Sequence, residues 1–179
     1  MIFLKNKDEI KSIDYACKIV RDTLFHLEEK ITLDITPLDL DRMAEEYIIS
    51  KGGIPGFKGL YGFPSTLCVS IEDEVVHGIP SKRRLKDGEI VSIDVGSIYD
   101  EFYGDHAKTF CVGNVSENKK KLVEVTKKSL MLGIAQVKPG NHIGDIGFTD
   151  KEDLMRDRLK DLISECETNK TLHSALEEL

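Results

Sequence analysis

The sequence of 179 residues has no long apolar run, no dense basic run and no closely spaced cysteine pair. No stretch approaches the roughly 18 consecutive apolar residues that a membrane-spanning helix needs, so we expect no membrane partner. The formal net charge is −7, and no basic run exceeds the three lysines of 119–121. We therefore expect no nucleic-acid partner. Apolar residues make up 40% and charged residues 32%, which is typical of one soluble globular domain.

Cysteine usage and the N-terminal residues both bear on the cellular compartment. The four cysteines are widely spaced: Cys17, Cys68, Cys111 and Cys166. The first residues, MIFLKNKDEIK, have a very short apolar run followed directly by charges. That pattern differs from a secretory signal peptide. We therefore expect free thiols and a cytoplasmic protein.

Two amphipathic helices are predicted at the start of the chain. Apolar residues recur at steps of three and four between Ile10 and Ile31. Asn6 and Glu9 form a plausible capping pair at the beginning of this segment. The second helix is predicted to begin with Thr36 as its cap and Pro37 at the first helical position.

Strands and a third helix follow. The sequence predicts a short strand over 67–71 that resumes at 75–76. Residues 89–112 read as a β-hairpin whose turn centres on 99–100. A further helix is predicted from 116 to about 137. The pattern is that of an α+β domain with an antiparallel sheet.

Two aspartates in the hairpin are candidate metal ligands. With a turn at 99–100, Asp94 lies directly opposite Asp105, and opposed Cβ atoms are roughly 4.5–5.5 Å apart. Two carboxylates at that distance repel each other unless one is protonated or a cation bridges them. The alternative is a solvated polar face that carries two ordinary surface aspartates.

A histidine and an aromatic loop are the other candidates. His77 precedes a glycine turn, where it can donate to a substrate carbonyl or take part in proton transfer. The alternative is an ordinary loop histidine. The loop before the first strand either lines an apolar pocket or simply packs against itself, through Phe57, Leu60, Tyr61, Phe63 and Cys68.

Four separated segments together resemble the N-terminal half of the type 1 methionine aminopeptidases. They are GLYGFPSTLCVSI, EVVHGIP, LKDGEIVSIDVGSIYDEFYGDHAKTFCVG and VKPGNHIGDIG, in the family's order and spacing within about residues 1–148. The resemblance implies half of a pita-bread fold, with an antiparallel sheet and helices on one face. It also implies a metallo-aminopeptidase that removes the N-terminal methionine from nascent polypeptides. Two divalent metal ions per complete site are implied, with Co, Mn, Fe, Zn and Ni not distinguished.

The resemblance assigns roles to five positions of this sequence. Asp94 matches the aspartate that chelates one metal, and Asp105 matches the aspartate that bridges both. His77 matches the histidine that contacts the substrate. Phe63 and Cys68 fall where the family builds part of its methionine side-chain pocket. The implied reaction is metal-assisted hydrolysis of the first peptide bond.

The sequence departs from the family pattern in two places. Glu72 stands where the family usually has asparagine. After Gly147, the sequence does not match the family's further metal-binding His and Glu residues or its second substrate-contacting His. Residues 149–179 instead predict a charged amphipathic helical tail. We therefore expect a truncated, frame-shifted or recombined chain with an incomplete dinuclear site. The alternative is a catalytically inactive half-fold that binds partners or self-associates through the tail.

Overall fold

A computed structural model describes residues 3–148. The first of two compact units ends at Glu117, and the second begins at Asn118. The helical tail expected over 149–179 lies outside the described residues, as does Cys166. None of the described helices is long and apolar enough to cross a membrane.

The first unit is an α+β structure, as the sequence predicts. Its elements are α1 (Lys7–Glu28), α2 (Pro37–Ser50), β1 (Ile54–Pro55), β2 (Leu67–Ile71), β3 (Ile90–Tyr99) and β4 (Phe102–Cys111). A single 3₁₀ turn, Leu60–Gly62, lies between β1 and β2. The third predicted helix is α3 (Glu117–Ala135).

Both early helices begin where their capping residues predict. The Asn6 side chain accepts the backbone N–H groups of Asp8 and Glu9, and the Glu9 carboxylate accepts the N–H of Asn6 at 2.7 Å. The Thr36 hydroxyl accepts the backbone N–H of Asp39 at 3.1 Å. These contacts satisfy N–H groups that have no partner within the helix.

The sheet is antiparallel, and β3 is its central strand. One edge of β3 pairs with β4 along all ten residues. Its other edge pairs with β2 through Val91–Val95 and with β1 through 97–98. The prediction that strand β2 resumes at 75–76 is wrong. Val75 and Val76 are 87% and 65% exposed and lie outside any strand.

One face of the sheet forms the core with α1 and α2. Val91, Ile93 and Val95 of β3 are fully buried. They join one apolar cluster with residues of β2 and of both helices, among them Leu24, Leu27, Leu40, Ile48, Leu67 and Val69. Each fully buried Leu, Ile or Val contributes about 1.5–3 kcal/mol. The alternate residues of β3 face the other way and are free to carry polar chemistry.

The middle of α1 lies very close to the sheet. The Ser97 hydroxyl donates to the carbonyl oxygen of Ala16 at 3.0 Å. A Cβ atom at Gly104 of β4 would collide with the backbone of Ala16 and Cys17. The helix can approach this closely only because position 104 has no side chain.

Replacing Gly104 with alanine therefore tests the packing of α1 on the sheet. We expect Gly104→Ala to lower the free energy of unfolding by about 2 kcal/mol, because backbone must shift to admit the methyl group. Gly144→Ala is the matched control, since a Cβ there meets nothing within 4 Å. Urea unfolding followed by circular dichroism measures both. Equal stability of the two variants would contradict the close approach.

Candidate metal site

The hairpin turn lies one residue later than the sequence predicts. Asp100 and Glu101 form a two-residue turn, with positive φ angles of 49° and 68°. The expected pairing of Asp94 with Asp105 is therefore wrong: Asp94 lies opposite Ala107, and Asp105 lies opposite Gly96. Turns of this type usually contain glycine, so the Asp-Glu pair gave no clear signal.

The shift of two residues in register keeps both aspartates on the same face of the sheet. Side chains alternate with a period of two, so Asp94 and Asp105 become diagonal neighbours on adjacent strands. Their side chains still interact through a hydrogen bond and through their charges. The predicted proximity of the two carboxyl groups holds although the predicted register does not.

Asp94 has the electrostatic properties expected of a metal ligand. Burial raises the pKa of its carboxyl group to about 6, the charge and hydrogen bond of Asp105 add to this rise, and the charge of His77 opposes it. Its Oδ1 atom is buried without a hydrogen-bond partner. A buried carboxylate oxygen without a partner is costly. A divalent cation shared with Asp105 would remove that cost, so the two side chains fit a metal ion.

The described residues offer part of a ligand set. Within residues 3–148, no group of three or more His, Cys, Asp or Glu side chains is placed to hold a metal ion. Asp94 and Asp105 thus provide two carboxylates that suit a hard or borderline cation.

Cys68 is the cross-strand neighbour of Asp94. The β2–β3 register places the two residues directly opposite each other. Burial, reinforced by the charges of Asp94 and Asp105, raises the pKa of the Cys68 thiol to about 11. The thiol is therefore protonated at neutral pH and presents an uncharged, polarisable surface rather than a thiolate ligand.

His77 is held near the carboxylates by an unusual backbone path. It has a φ of 59°, in the left-handed region. The next residue, Gly78, accepts the N–H of Val69 at 2.8 Å and donates its own N–H to the Ser70 hydroxyl at 3.3 Å. A Cβ atom at Gly78 would collide with the carbonyl oxygen of Val69. The His77 side chain is exposed and can meet a substrate.

Two glutamates brace the loop between β2 and His77. Glu72 has a φ of 58°, which asparagine adopts more readily than glutamate. Its Oε1 atom accepts the N–H of Ile90 at 2.8 Å. The Glu74 carboxylate accepts the N–H of Ile71 at 2.8 Å. Glutamate at position 72, where the family usually has asparagine, is thus compatible with this turn. Its side chain also makes a contact with β3.

The candidate pocket residues differ in their burial and in whether they lie on the face of the sheet that carries Asp94. A Cβ atom at Gly96, on the same face as Asp94, would be 2.5 Å from the ring of Phe57. Phe63 is half-buried and follows the 3₁₀ turn. Tyr61 is fully exposed, and Leu60 is about half exposed. The structure thus brings Phe57 and Cys68 to the face that carries the carboxylates.

The sequence matches metallopeptidase family M24 over residues 11–170. The chain belongs to this family. A methionine aminopeptidase of Clostridium perfringens is 48% identical over 146 residues, covering 82% of this chain and 59% of the relative. The crystal structure of a Thermotoga maritima methionine aminopeptidase superimposes with a TM-score of 0.85 at 37% identity, covering 87% of this chain and 63% of that one.

The fold is also shared by more distant M24-like structures. A prolidase from Pyrococcus furiosus has a TM-score of 0.76 at 22% identity, which shows the fold alone. The predicted pita-bread half-fold is confirmed by these likenesses. The M24 chain spans less than two thirds of the length of the methionine aminopeptidases named above. Membership of this metallopeptidase family implies divalent metal cofactors.

Sequence reasoning missed one buried acidic residue of the M24 chain. Asp41 of α2 is 8% exposed, and its Oδ1 atom accepts the backbone N–H groups of Thr66 at 2.9 Å and Leu67 at 2.8 Å. Its spacing from Pro37 and Ala44 places it on the buried side of the helix. A carboxylate on an apolar stripe was the signal that could have found it.

The raised pKa of Asp94 predicts a characteristic pH dependence of stability. Because the folded pKa of about 6 exceeds the ordinary value of 3.8, protonation of Asp94 favours the folded state. That contribution is complete below pH 4 and is lost as the pH rises through 6. In metal-free buffer, we expect Asp94→Asn to be about 1–2 kcal/mol more stable than wild type at pH 7.

Urea unfolding at pH 4 and pH 7 in the presence of a chelator measures this effect. Asp22→Asn, a part-exposed position of α1 whose carboxylate pairs with Arg21, controls for the change in net charge. The difference between wild type and Asp94→Asn should nearly vanish at pH 4. A difference of the same size at both pH values would contradict the raised pKa.

Proposed function

We propose that this M24 chain is a metal-dependent aminopeptidase that acts on the N-terminal methionine of nascent polypeptides. The observation that carries the proposal is the buried, unpartnered Oδ1 atom of Asp94 beside Asp105. Relatives that are named methionine aminopeptidases support the substrate assignment. The resemblance over the motifs around His77 and Phe63 supports it further.

Asp94 and Asp105 would hold the metal. The family resemblance favours two divalent ions per complete site, which Asp94 and Asp105 would help to hold. Bound metal supplies Lewis-acid chemistry that polarises the carbonyl of the first peptide bond. The protein's own contribution is to hold two carboxylates close together on a rigid pair of strands, where a bound cation would favour their ionised forms.

His77 and the pocket residues would position the peptide. The imidazole of His77 is exposed, and its charge acts on Asp94, so it would donate to the carbonyl oxygen of the first residue. The neutral Cys68 thiol and the half-buried Phe63 ring would receive the methionine side chain. An unbranched thioether packs well against sulfur and aromatic edges. We keep Phe63 and Cys68 as proposed pocket residues on these grounds.

Residues 149–179 carry two further predictions. The division into a half-domain over 1–148 and a helical tail over 149–179 stays a prediction. Self-association through the tail, in a catalytically inactive half-fold, is the alternative function and concerns residues outside the described part. The same holds for any ligand that the tail or a second polypeptide would supply to Asp94 and Asp105.

Hydrolysis of a Met-Ala-Ser peptide by the full 179-residue chain tests the proposed activity. We expect release of methionine with added Mn²⁺ or Co²⁺, which requires that residues 149–179 or a second chain supply the metal ligands that Asp94 and Asp105 do not provide. The rate should fall at least about 100-fold in Asp105→Asn, because a shared ligand is lost. Asp22→Asn makes the same charge change at a part-exposed position of α1 and should retain the wild-type rate.

Two results would contradict the proposal. Equal turnover by wild type and Asp105→Asn would place the activity elsewhere. Absence of turnover in a folded chain with saturating metal would remove the enzymatic function and favour the binding alternative. A Leu-Ala-Ser peptide checks the preference for methionine in the same assay.

A further inference from the structure

Two carboxylates of α2 hold the loop that carries the proposed pocket residues. Asp41 and Glu45 are four residues apart, so they lie on the same side of the helix. Asp41 contacts the chain at Thr66 and Leu67, just before Cys68. Glu45 contacts Lys58, just after Phe57. The helix therefore holds both limbs of the loop 57–68.

The Asp41 contact is the stronger of the two. Both N–H groups that it accepts belong to residues with no exposed surface, Thr66 and Leu67. Burial raises the pKa of Asp41, and its two backbone hydrogen bonds oppose that rise. Without this carboxylate, two buried N–H groups would have no partner at the start of β2. Such groups are costly to leave unsatisfied, so Asp41 fixes the entry into β2.

The Glu45 contact holds the other limb more weakly. The Lys58 ammonium donates to both carboxylate oxygens of Glu45, at 2.7 and 2.8 Å. The hydrogen bond to Glu45 raises the pKa of Lys58. Both side chains are partly exposed, so solvent weakens the pair.

The loop between these two contacts is closed by its own backbone. The N–H of Gly59 donates to the carbonyl of Phe63 at 2.8 Å, and the N–H of Leu60 donates to the carbonyl of Phe57 at 3.0 Å. The loop therefore behaves as one compact piece whose placement depends on its ends. Asp41 fixes the end that leads to Cys68, and Glu45 fixes the end that begins at Phe57.

We propose that Asp41 and Glu45 are positioning residues that set the width of the pocket between Phe57, Phe63 and Cys68. They favour a long, unbranched apolar side chain at the first residue of the substrate over a branched one. The inference rests on the proposed function, because the pocket is that of the proposed aminopeptidase. A displacement of about 1 Å in such a supporting contact is enough to weaken discrimination.

Amide hydrogen exchange by NMR on the full chain tests the two contacts directly. In Asp41→Ala, we expect the amides of Thr66 and Leu67 to exchange at least about tenfold faster than in wild type. Asp41→Asn keeps an acceptor oxygen and should restore protection to within about twofold. In Glu45→Ala, the amides of Gly59 and Leu60 should instead exchange a few-fold faster.

Thr23→Ala controls for a general loss of stability. It removes a buried hydroxyl that donates to Ile19 within α1, away from the loop. Faster exchange at Thr66 and Leu67 in this control, equal to that in Asp41→Ala, would overturn the positioning role. Should Asp41→Ala not fold, Glu45→Ala still decides: unchanged exchange at Gly59 and Leu60 overturns the proposal.

Binding of L-methioninamide and L-leucinamide, followed by the amide shift of Cys68, tests the effect on specificity. Wild type should prefer L-methioninamide, and Asp41→Ala should reduce that preference at least about threefold. Asp41→Asn should restore it and Thr23→Ala should keep it. An unchanged preference in Asp41→Ala would overturn the specificity role. Absence of binding by wild type would count against the proposed pocket itself, whereas the exchange data would still decide the contacts.

Discussion

The strict alternation of side chains along β3 separates the core of the first unit from the candidate metal site. β3 pairs on both edges, so its odd-numbered residues must cover the core against α1 and α2. The even-numbered residues are thereby directed to the other face, where Asp94 lies between Cys68 and Ala107. One strand thus supplies both the centre of the core and the centre of the candidate site. A slip of one residue would exchange the two faces.

The candidate site lowers the stability of the fold, and packing of the core offsets this loss. Asp94 is partly buried next to a second carboxylate, and its Oδ1 atom has no hydrogen-bond partner. His77 and Glu72 both hold left-handed backbone conformations that cost energy in residues with a side chain. Such features persist only where the surrounding structure fixes them. Here the fixed surroundings are the paired strands, the Gly78 contact with Val69 and the close packing of α1 on Gly104.

Most of the fold could be predicted from the sequence, because its signals are local. Asn6, Thr36 and Pro37 marked the helix starts, and the apolar alternation of 91–95 marked the central strand. The register was missed by two residues, since an Asp-Glu turn lacks the usual glycine. The expected site survived this error only because a shift of two keeps the same face. The Asp41 contact could not be predicted, because its partners lie 25 and 26 residues away in sequence.

The proposed function depends on binding of a divalent cation by the two carboxylates of the hairpin. Paramagnetic line broadening by substoichiometric Mn²⁺ in the NMR spectrum of the full chain tests it most directly. We expect early broadening of the Cys68, Asp94 and Ala107 amides, and its loss in Asp105→Asn. Broadening centred on the exposed acidic residues of α1, or unchanged in Asp105→Asn, would contradict it.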